Sequence, residues 1–279
     1  MALEKAGDIV KDAYKRKACV AAFNVLNYDM IKLAIRQAES LNTPILIACY
    51  PGFKDIIAIE ALAEITKLCA RDVKVPIGLH LDHSTEYDVT VLAMKMGYSS
   101  VMYDGSVLPF DENVKNTAEI TKVAKALNID VEAELGQVGS AESLSDFSDS
   151  AKFTSPDDAE AFVARTGCSS LAVAVGNAHG SYVKEPALDL NRIEDISNRL
   201  KIPLVLHGGS GIPDNQVKKA IKRGIAKINV GTEYFHAYNG AVEARALANK
   251  NQKDMINAAG LVREDVLAYL EGKIKLLSS

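Results

Sequence analysis

A strand–helix repeat runs along the chain and is the feature that most limits its fold. Short apolar strands alternate with amphipathic helices, in which apolar residues recur at helical spacing, as at Ile31, Leu33, Ala34 and Ala38. Eight such units without a linker or low-complexity segment predict a closed (β/α)₈ TIM barrel, with a doubly wound open sheet as the alternative. We expect one domain over residues 1–279, with a C-terminal helical tail.

The predicted strands and helices divide most of the chain between them. The strands are expected at 19–24, 44–49, 75–81, 100–103, 130–134, 170–175, 203–207 and 227–230. The helices are expected at 29–41, 56–70, 87–96, 111–127, 155–166, 191–200, 213–223 and 233–249.

The third predicted strand ends in the polar sequence HLDHS. Alternation along a strand sends His80 and Asp82 to one face and leaves His83 at the exit. In α/β folds, ligands and catalytic groups lie at the carboxyl ends of the strands, so these residues suggest a metal ligand beside a general acid or base. The alternative is a pair of buried histidines that merely have hydrogen-bond partners.

Two further histidines occupy equivalent places. His179 follows the sixth predicted strand, and His207 ends the seventh, so three of the five histidines lie at the face where a barrel builds its site. Three imidazoles with an open fourth position are typical of catalytic zinc. His80 is expected in the barrel wall, and His236 is expected to be structural.

Glycine-rich sequences after the last two strands predict a phosphate site. The sequence HGGSGIP places Gly208 and Ser210 directly before a helix, and NVGTE places Asn229, Gly231 and Thr232 after the eighth strand. The loops after strands seven and eight are the usual phosphate site of a TIM barrel, although glycines also serve plain turns.

Acidic residues add to the same predicted face. Glu132 and Glu134 alternate on the fifth strand, and Asp104 ends the fourth. Such carboxylates can orient metal-bound imidazoles. Glu142 falls in a polar segment, 136–153, whose length is typical of a lid or a binding loop, the alternative being a surface excursion.

Composition excludes several classes of partner. The net charge of −4 gives no electrostatic footprint for nucleic acid, and no apolar run is long enough to cross a bilayer. The first 17 residues are typical of an amphipathic helix and lack the apolar centre of a secretory signal. Four separate cysteines in apolar contexts indicate reduced core residues of a cytoplasmic protein.

The ordered motifs HLDHS, VEAELGQVGSAE, GNAHGSYVK, LHGGSGIP and KINVGTE resemble the zinc-dependent, class II ketose-bisphosphate aldolases. The resemblance implies reversible cleavage of a ketose 1-phosphate or 1,6-bisphosphate of the fructose or tagatose type. The products would be dihydroxyacetone phosphate and an aldehyde. It also implies Zn²⁺, a nearby monovalent cation (Na⁺ or K⁺) and a homodimer or homotetramer.

The resemblance assigns roles to particular residues. It implies His83, His179 and His207 as zinc ligands, Asp82 as the proton donor and acceptor at the aldehyde oxygen, and Glu142 as the carboxylate that handles the proton of the three-carbon donor. Asn229 would contact the enediolate. The phosphate on C1 would be held by Gly180, Lys184, Gly208, Ser210, Gly231 and Thr232.

The chain departs from the family pattern where the distal end of the substrate would bind. Tyr50 stands in place of a small polar segment, and Lys253 stands where bisphosphate enzymes carry an arginine. Lysine is a single-point donor, unlike the forked guanidinium, so a C6 group other than phosphate, such as a sulfonate, becomes an alternative. A zinc hydrolase and a non-catalytic sugar-phosphate-binding barrel are the remaining alternatives.

Overall fold

The computed structural model describes residues 3–248 and 255–278. Eight parallel strands pair in sequence order, and β8 closes onto β1, which confirms the predicted TIM barrel. The strands are β1 (Val20–Asn24), β2 (Ile45–Cys49), β3 (Ile77–Ser84), β4 (Ser100–Tyr103), β5 (Asp130–Leu135), β6 (Ser170–Val173), β7 (Leu204–Leu206) and β8 (Ile225–Val230).

Helices cover the outside of the barrel. They are α1 (Ala6–Lys15), α2 (Tyr28–Ser40), α3 (Ile59–Ala70), α4 (Tyr87–Met96), α5 (Phe110–Ala126), α6 (Leu144–Ser148), α7 (Pro156–Thr166), α8 (Leu190–Leu200), α9 (Asp214–Lys222), α10 (Thr232–Ala248) and α11 (Met255–Ser278). Every predicted strand and helix is present, with ends that move by no more than three residues.

Two ends moved for a physical reason. β3 continues through His83 to Ser84, because a register shift against β4 lets pairing resume past the polar residues. β8 begins at Ile225, so Lys227 is its third residue, whereas the prediction made it the first. The segment 136–153 is also less irregular than expected, since it contains α6 and a 3₁₀ turn at Ser150–Lys152.

The barrel is closed at its amino-terminal end by α1. Ala6, Ile9, Val10 and Ala13 on α1 pack with small and aliphatic side chains of β1, β2 and β8. Because this end is filled, access to the barrel interior is from the carboxyl ends of the strands. The single-domain extent of 1–279 remains a prediction.

The outer face of the strands forms the main core with the surrounding helices. On β3, Leu79 and Leu81 belong to this core, while the alternate residues His80 and Asp82 contact polar groups inside the barrel. No helix in the described ranges is long and apolar enough to cross a membrane. Three of the four cysteines are buried as predicted, whereas Cys69 is only half-buried on α3, and all four are free thiols.

Candidate active site

An open cavity of about 470 Å³ lies at the carboxyl ends of the strands. Polar residues line its floor, and aromatic residues line one wall. The lining comprises Asn24, Tyr50, Phe53, Asp82, His83, Thr85, Asp104, Ser106, Val107, Glu134, Val138, His179, Gly180, Gly208, Ser210, Asn229, Gly231, Thr232 and Phe235.

Three predicted metal ligands converge at this cavity. One ring nitrogen from each of His83, His179 and His207 lies within 4.8 Å of the others. Ligands of one tetrahedral zinc ion stand about 3.4 Å apart when each bond is about 2.1 Å. Small side-chain movements would therefore let the three imidazoles share one ion, so the donor set fits a metal of this kind.

The backbone of β3 places two neighbouring functional side chains on the same side. Regular alternation would point Asp82 and His83 to opposite faces. His83 instead has φ of 45°, in the left-handed region that non-glycine residues seldom adopt. This turn brings both side chains to the cavity.

Carboxylates form hydrogen bonds with two of the imidazoles. His83 Nδ1 lies 2.8 Å from Asp104 Oδ2. His207 has a carboxylate at each ring nitrogen, with Nδ1 2.9 Å from Glu134 Oε2 and Nε2 3.0 Å from Glu132 Oε1. Carboxylate partners of this kind fix the orientation of a ligand histidine and raise its basicity.

The pKa values of His179 and His207 shift in opposite directions, because their partners differ. Although His179 faces the cavity, desolvation by the surrounding protein, followed by the charges of His83 and His207, lowers its pKa to about 3, so its ring is neutral at pH 7 and able to bind a metal. Burial also disfavours the charged form of His207, but its hydrogen bonds with Glu132 and Glu134 raise its pKa to about 10. A metal ion would displace the proton that His207 otherwise carries.

Asp82 is held as a carboxylate between two amides. Asn24 Nδ2 donates to one carboxylate oxygen at 2.8 Å, and Asn229 Nδ2 donates to the other at 2.6 Å. Burial alone would raise the pKa of Asp82, but the imidazoles of His83 and His207 lower it well below its usual value. The Oδ1 atom of Asn229 is buried and has no hydrogen-bond partner among the described residues, so it can accept a hydrogen bond from a ligand.

The predicted phosphate loops also line the cavity. Gly180, Gly208, Ser210, Gly231 and Thr232 all line it. Gly208 has φ of 58°, and a Cβ atom there would lie 2.0 Å from the carbonyl oxygen of Ala178, so only glycine fits. Thr232 begins α10, and the amino terminus of a helix favours an anion.

Comparison with known proteins identifies the family. The model of the family described as "Fructose-bisphosphate aldolase class-II" matches residues 4–279. The chain belongs to the class II fructose-bisphosphate aldolases. It is therefore a lyase that cleaves a carbon–carbon bond, as the resemblance implied, and the family is in general zinc-dependent.

Individual aldolases match over nearly their whole length. A sulfofructosephosphate aldolase from Alkalicoccus urumqiensis is 36% identical over 272 residues, covering 97% of this chain and 95% of that protein. The crystal structure of the YdjI aldolase from Escherichia coli K12 is 35% identical with a TM-score of 0.87, covering 100% of this chain and 98% of that one. A fructose-bisphosphate aldolase from Campylobacter jejuni shares the fold at 23% identity with a TM-score of 0.84, covering 99% of this chain and 96% of the other.

Some residues predicted for the aldolase site lie away from the cavity. Glu142 and Lys184 are exposed and do not line it. The loop that carries Glu142 is nevertheless attached to a predicted ligand, because Ala141 N donates to the carbonyl oxygen of His179 at 2.8 Å. Lys253 lies outside the described residues. His236, predicted to be structural, is exposed on α10.

The aromatic wall of the cavity was largely missed from the sequence. Tyr50 was predicted, and its ring packs edge-on against Phe53 at 5.0 Å between centroids. Phe53 in turn packs against Phe235 at 5.7 Å. Aromatic residues near the start of a helix usually serve only packing. The sequence therefore gave no reason to place either phenylalanine at the site. Asn24 could have been found, since it is the one polar residue of β1 and stands at its carboxyl end.

Proposed function

We propose that this aldolase binds one Zn²⁺ through His83, His179 and His207 and reversibly cleaves a ketose 1-phosphate to dihydroxyacetone phosphate and an aldehyde. The observation that carries the proposal is the convergence of three imidazole nitrogens, from His83 and His179 in the cavity lining and from the fully buried His207, near the Asp82 carboxylate. Family membership favours this chemistry over the zinc-hydrolase and non-catalytic alternatives.

The metal has one chemical purpose in this proposal. Zn²⁺ would act as a Lewis acid that stabilises negative charge on the substrate's carbonyl oxygen when the carbon–carbon bond breaks. The three-histidine donor set, with Asp104, Glu132 and Glu134 as hydrogen-bond partners of two of its rings, supports the assignment of zinc.

Asp82 takes and returns the proton of the C4 hydroxyl. Its ionised carboxylate, fixed by Asn24 and Asn229, is able to accept that proton during cleavage. The free Oδ1 atom of Asn229 would accept a hydrogen bond from a hydroxyl of the three-carbon fragment. We assign the proton of that fragment to Glu142, whose loop must bring the exposed carboxylate over the cavity.

The C1 phosphate is assigned to the glycine-rich side of the cavity. Gly208 and Ser210 follow β7, while Gly231 and Thr232 follow β8, and all four line the space. Gly180 lines it from the loop after β6, and the exposed Lys184 would have to reach in from the same loop. Anchoring the phosphate there converts remote binding energy into orientation at the reacting bond.

The distal end of the substrate, its C6 group, is assigned to the aromatic wall of the cavity. No lysine or arginine within residues 3–248 and 255–278 lines the cavity, and aromatic rings of Tyr50, Phe53 and Phe235 stand there instead. A monoanionic or weakly hydrated C6 group suits such a wall better than a phosphate dianion, which requires charged donors. The similar protein from Alkalicoccus urumqiensis is named a sulfofructosephosphate aldolase, which supports a sulfonate at C6 as the alternative to a bisphosphate.

A substrate comparison tests this part of the proposal. We would measure kcat/KM for fructose 1,6-bisphosphate, tagatose 1,6-bisphosphate and the 6-deoxy-6-sulfo analogues of both 1-phosphates. The expected order places a sulfo sugar first, by roughly tenfold or more if one charge-assisted contact distinguishes the two. A clear preference for a bisphosphate would contradict it and would assign phosphate binding to Lys253 or Lys54.

Several finer assignments rest on the resemblance alone. They are a nearby Na⁺ or K⁺ ion, a homodimer or homotetramer, a cytoplasmic location and a role in carbohydrate metabolism such as glycolysis. Light scattering of the purified chain and assays in Na⁺-free and K⁺-free buffer would test the first two.

A further inference from the structure

A buried ion pair lies beneath the floor of the cavity. Lys227 on β8 places its ammonium 2.9 Å from each carboxylate oxygen of Glu132 on β5. Its Nζ also lies 3.2 Å from Nε2 of His80, whose Nδ1 lies 2.9 Å from the hydroxyl of Ser100. The four side chains come from β3, β4, β5 and β8, so the pair links strands on opposite sides of the barrel.

This pair continues directly to a predicted metal ligand. Glu132 Oε1 lies 3.0 Å from Nε2 of His207, whose other nitrogen, Nδ1, lies 2.9 Å from Glu134. Glu134 lines the cavity, but Glu132 does not. His207 therefore presents Nδ1 on the cavity side and Nε2 on the side of the buried pair.

Lys227 does not reach the cavity. The side chain is 1% exposed and is absent from the cavity lining, so it cannot contact substrate. Its ammonium lies among His80, Asp82 and Glu132, which are close enough together to form a cation site. The lysine itself supplies the positive charge that such a cluster needs.

We propose that Lys227 is a positioning residue for the metal site, an inference that rests on the proposed zinc-dependent function. The ammonium fixes Glu132 through two hydrogen bonds, and Glu132 in turn accepts a hydrogen bond from Nε2 of His207. When a metal displaces the proton at Nδ1, the remaining proton of His207 would therefore stay on Nε2. A histidine fixed in one tautomer and orientation binds a metal more tightly than one that must be reoriented.

The experiment compares the replacement of two lysines, each of which forms an ion pair with a carboxylate on β5. Lys227→Met removes the partner of Glu132, whereas Lys11→Met removes a partner of Asp130, two residues earlier on β5 and at the opposite end of the barrel. For each metal-free full-length variant, the dissociation constant for Zn²⁺ is measured by competition with a chromophoric chelator, and the melting temperature is recorded. We expect Lys227→Met to weaken zinc binding by roughly 10–100-fold and Lys11→Met to leave it unchanged.

Two further readouts separate positioning from general damage. The ¹⁵N spectrum of the zinc-loaded chain reports the histidine tautomers, and only five histidines contribute. At one fixed zinc concentration, His207 should show the Nε2–H form with Nδ1 bound to the metal in the natural chain, and that form should be less populated in Lys227→Met. Lys227→Arg should recover part of the zinc affinity, because it restores a buried cation beside Glu132.

If Lys227→Met fails to fold, a double variant still tests the inference. The double variant Glu132→Gln with Lys227→Met removes both charges and leaves no unpaired buried ion. It should fold and still bind zinc at least roughly tenfold more weakly. Natural zinc affinity in the double variant, or in a folded Lys227→Met, would overturn the inference. If the natural chain binds no zinc at these three histidines, the proposed function fails instead.

Discussion

His179 and His207 are both predicted ligands, yet their surroundings differ. His207 is fully buried and bonded to two carboxylates, so its replacement would remove one hydrogen-bond partner from each of Glu132 and Glu134. His179 is exposed to the cavity. Replacing His207 would therefore disturb a buried network as well as the metal site, and His179 is the better position for a test.

His179→Ala should lose zinc and activity while the fold is kept. Removing one of three ligands leaves the ion with two imidazoles, and the exposed position leaves no buried cavity. The measurements are zinc content after dialysis, aldol cleavage and the melting temperature of the metal-free chain. A variant that keeps full zinc content and activity would remove His179 from the ligand set.

Asp82 and Glu142 should separate in their effects on two proton transfers. Asp82→Ala is expected to reduce cleavage by about 10²–10⁴-fold, because it removes the base for the C4 hydroxyl, while exchange of the donor's proton with solvent continues. Glu142→Ala should suppress that exchange. Deuterium exchange into dihydroxyacetone phosphate measures the second step, and equal loss of both reactions in Asp82→Ala with zinc retained would contradict the division.

Thiol reactivity should follow burial. Burial raises the pKa of Cys49 and of Cys168 to about 11, so neither is appreciably thiolate at pH 8. Cys69 is only half-buried, and burial raises its pKa less. Iodoacetamide at pH 8 should modify Cys69 first, as read by peptide mass spectrometry; earlier modification of Cys49 would show that the loop after β2 opens.

At the scale of single elements, the loop after β7 depends on one glycine. Gly208→Ala places a Cβ atom against the carbonyl of Ala178 in a strained backbone conformation, and we expect a loss of at least about 1–3 kcal/mol in unfolding free energy. Gly240→Ala on α10 is the control. A Cβ there meets nothing within 4 Å, so alanine should stabilise by about 0.5–1 kcal/mol. Urea titrations compare the two, and an unaffected Gly208→Ala would show that the loop can move away from Ala178.

The individual elements were predictable to different degrees. The periodicity of apolar residues predicted all eight strand–helix units, because each helix buries one face against the barrel. The left-handed backbone at His83 and the bulge beside it were not predictable, since they arise from pairing with β4. Lys227 was predicted only as the first residue of its strand, because nothing in the local sequence shows that its partner Glu132 lies 95 residues away.

At the scale of the whole molecule, the C-terminal helix α11 packs along the outside of the barrel. Val266, Leu270, Ile274 and Leu277 are buried in the main core, and Cys19 N donates to the carbonyl oxygen of Leu277. The helix therefore contributes to the same core as the strands.

Leu270→Ala should destabilise the barrel without changing its chemistry. Leu270 is completely buried, and its truncation is expected to cost about 2–5 kcal/mol of unfolding free energy. Because the site is built at the carboxyl ends of the strands, kcat/KM should stay near the natural value at a temperature where the variant is folded. A large fall in kcat/KM with little loss of stability would indicate that α11 contributes to the site.

The central claim is that one metal ion held by three histidines makes this chain an aldolase. The most direct measurement is a zinc titration of the chelator-treated protein, with dihydroxyacetone phosphate release from the preferred ketose 1-phosphate as the readout. Activity should be absent without metal and should rise linearly to a plateau at one Zn²⁺ per chain, while His179→Ala stays inactive throughout. Full activity in the metal-free protein, or a plateau reached equally by His179→Ala, would contradict the claim.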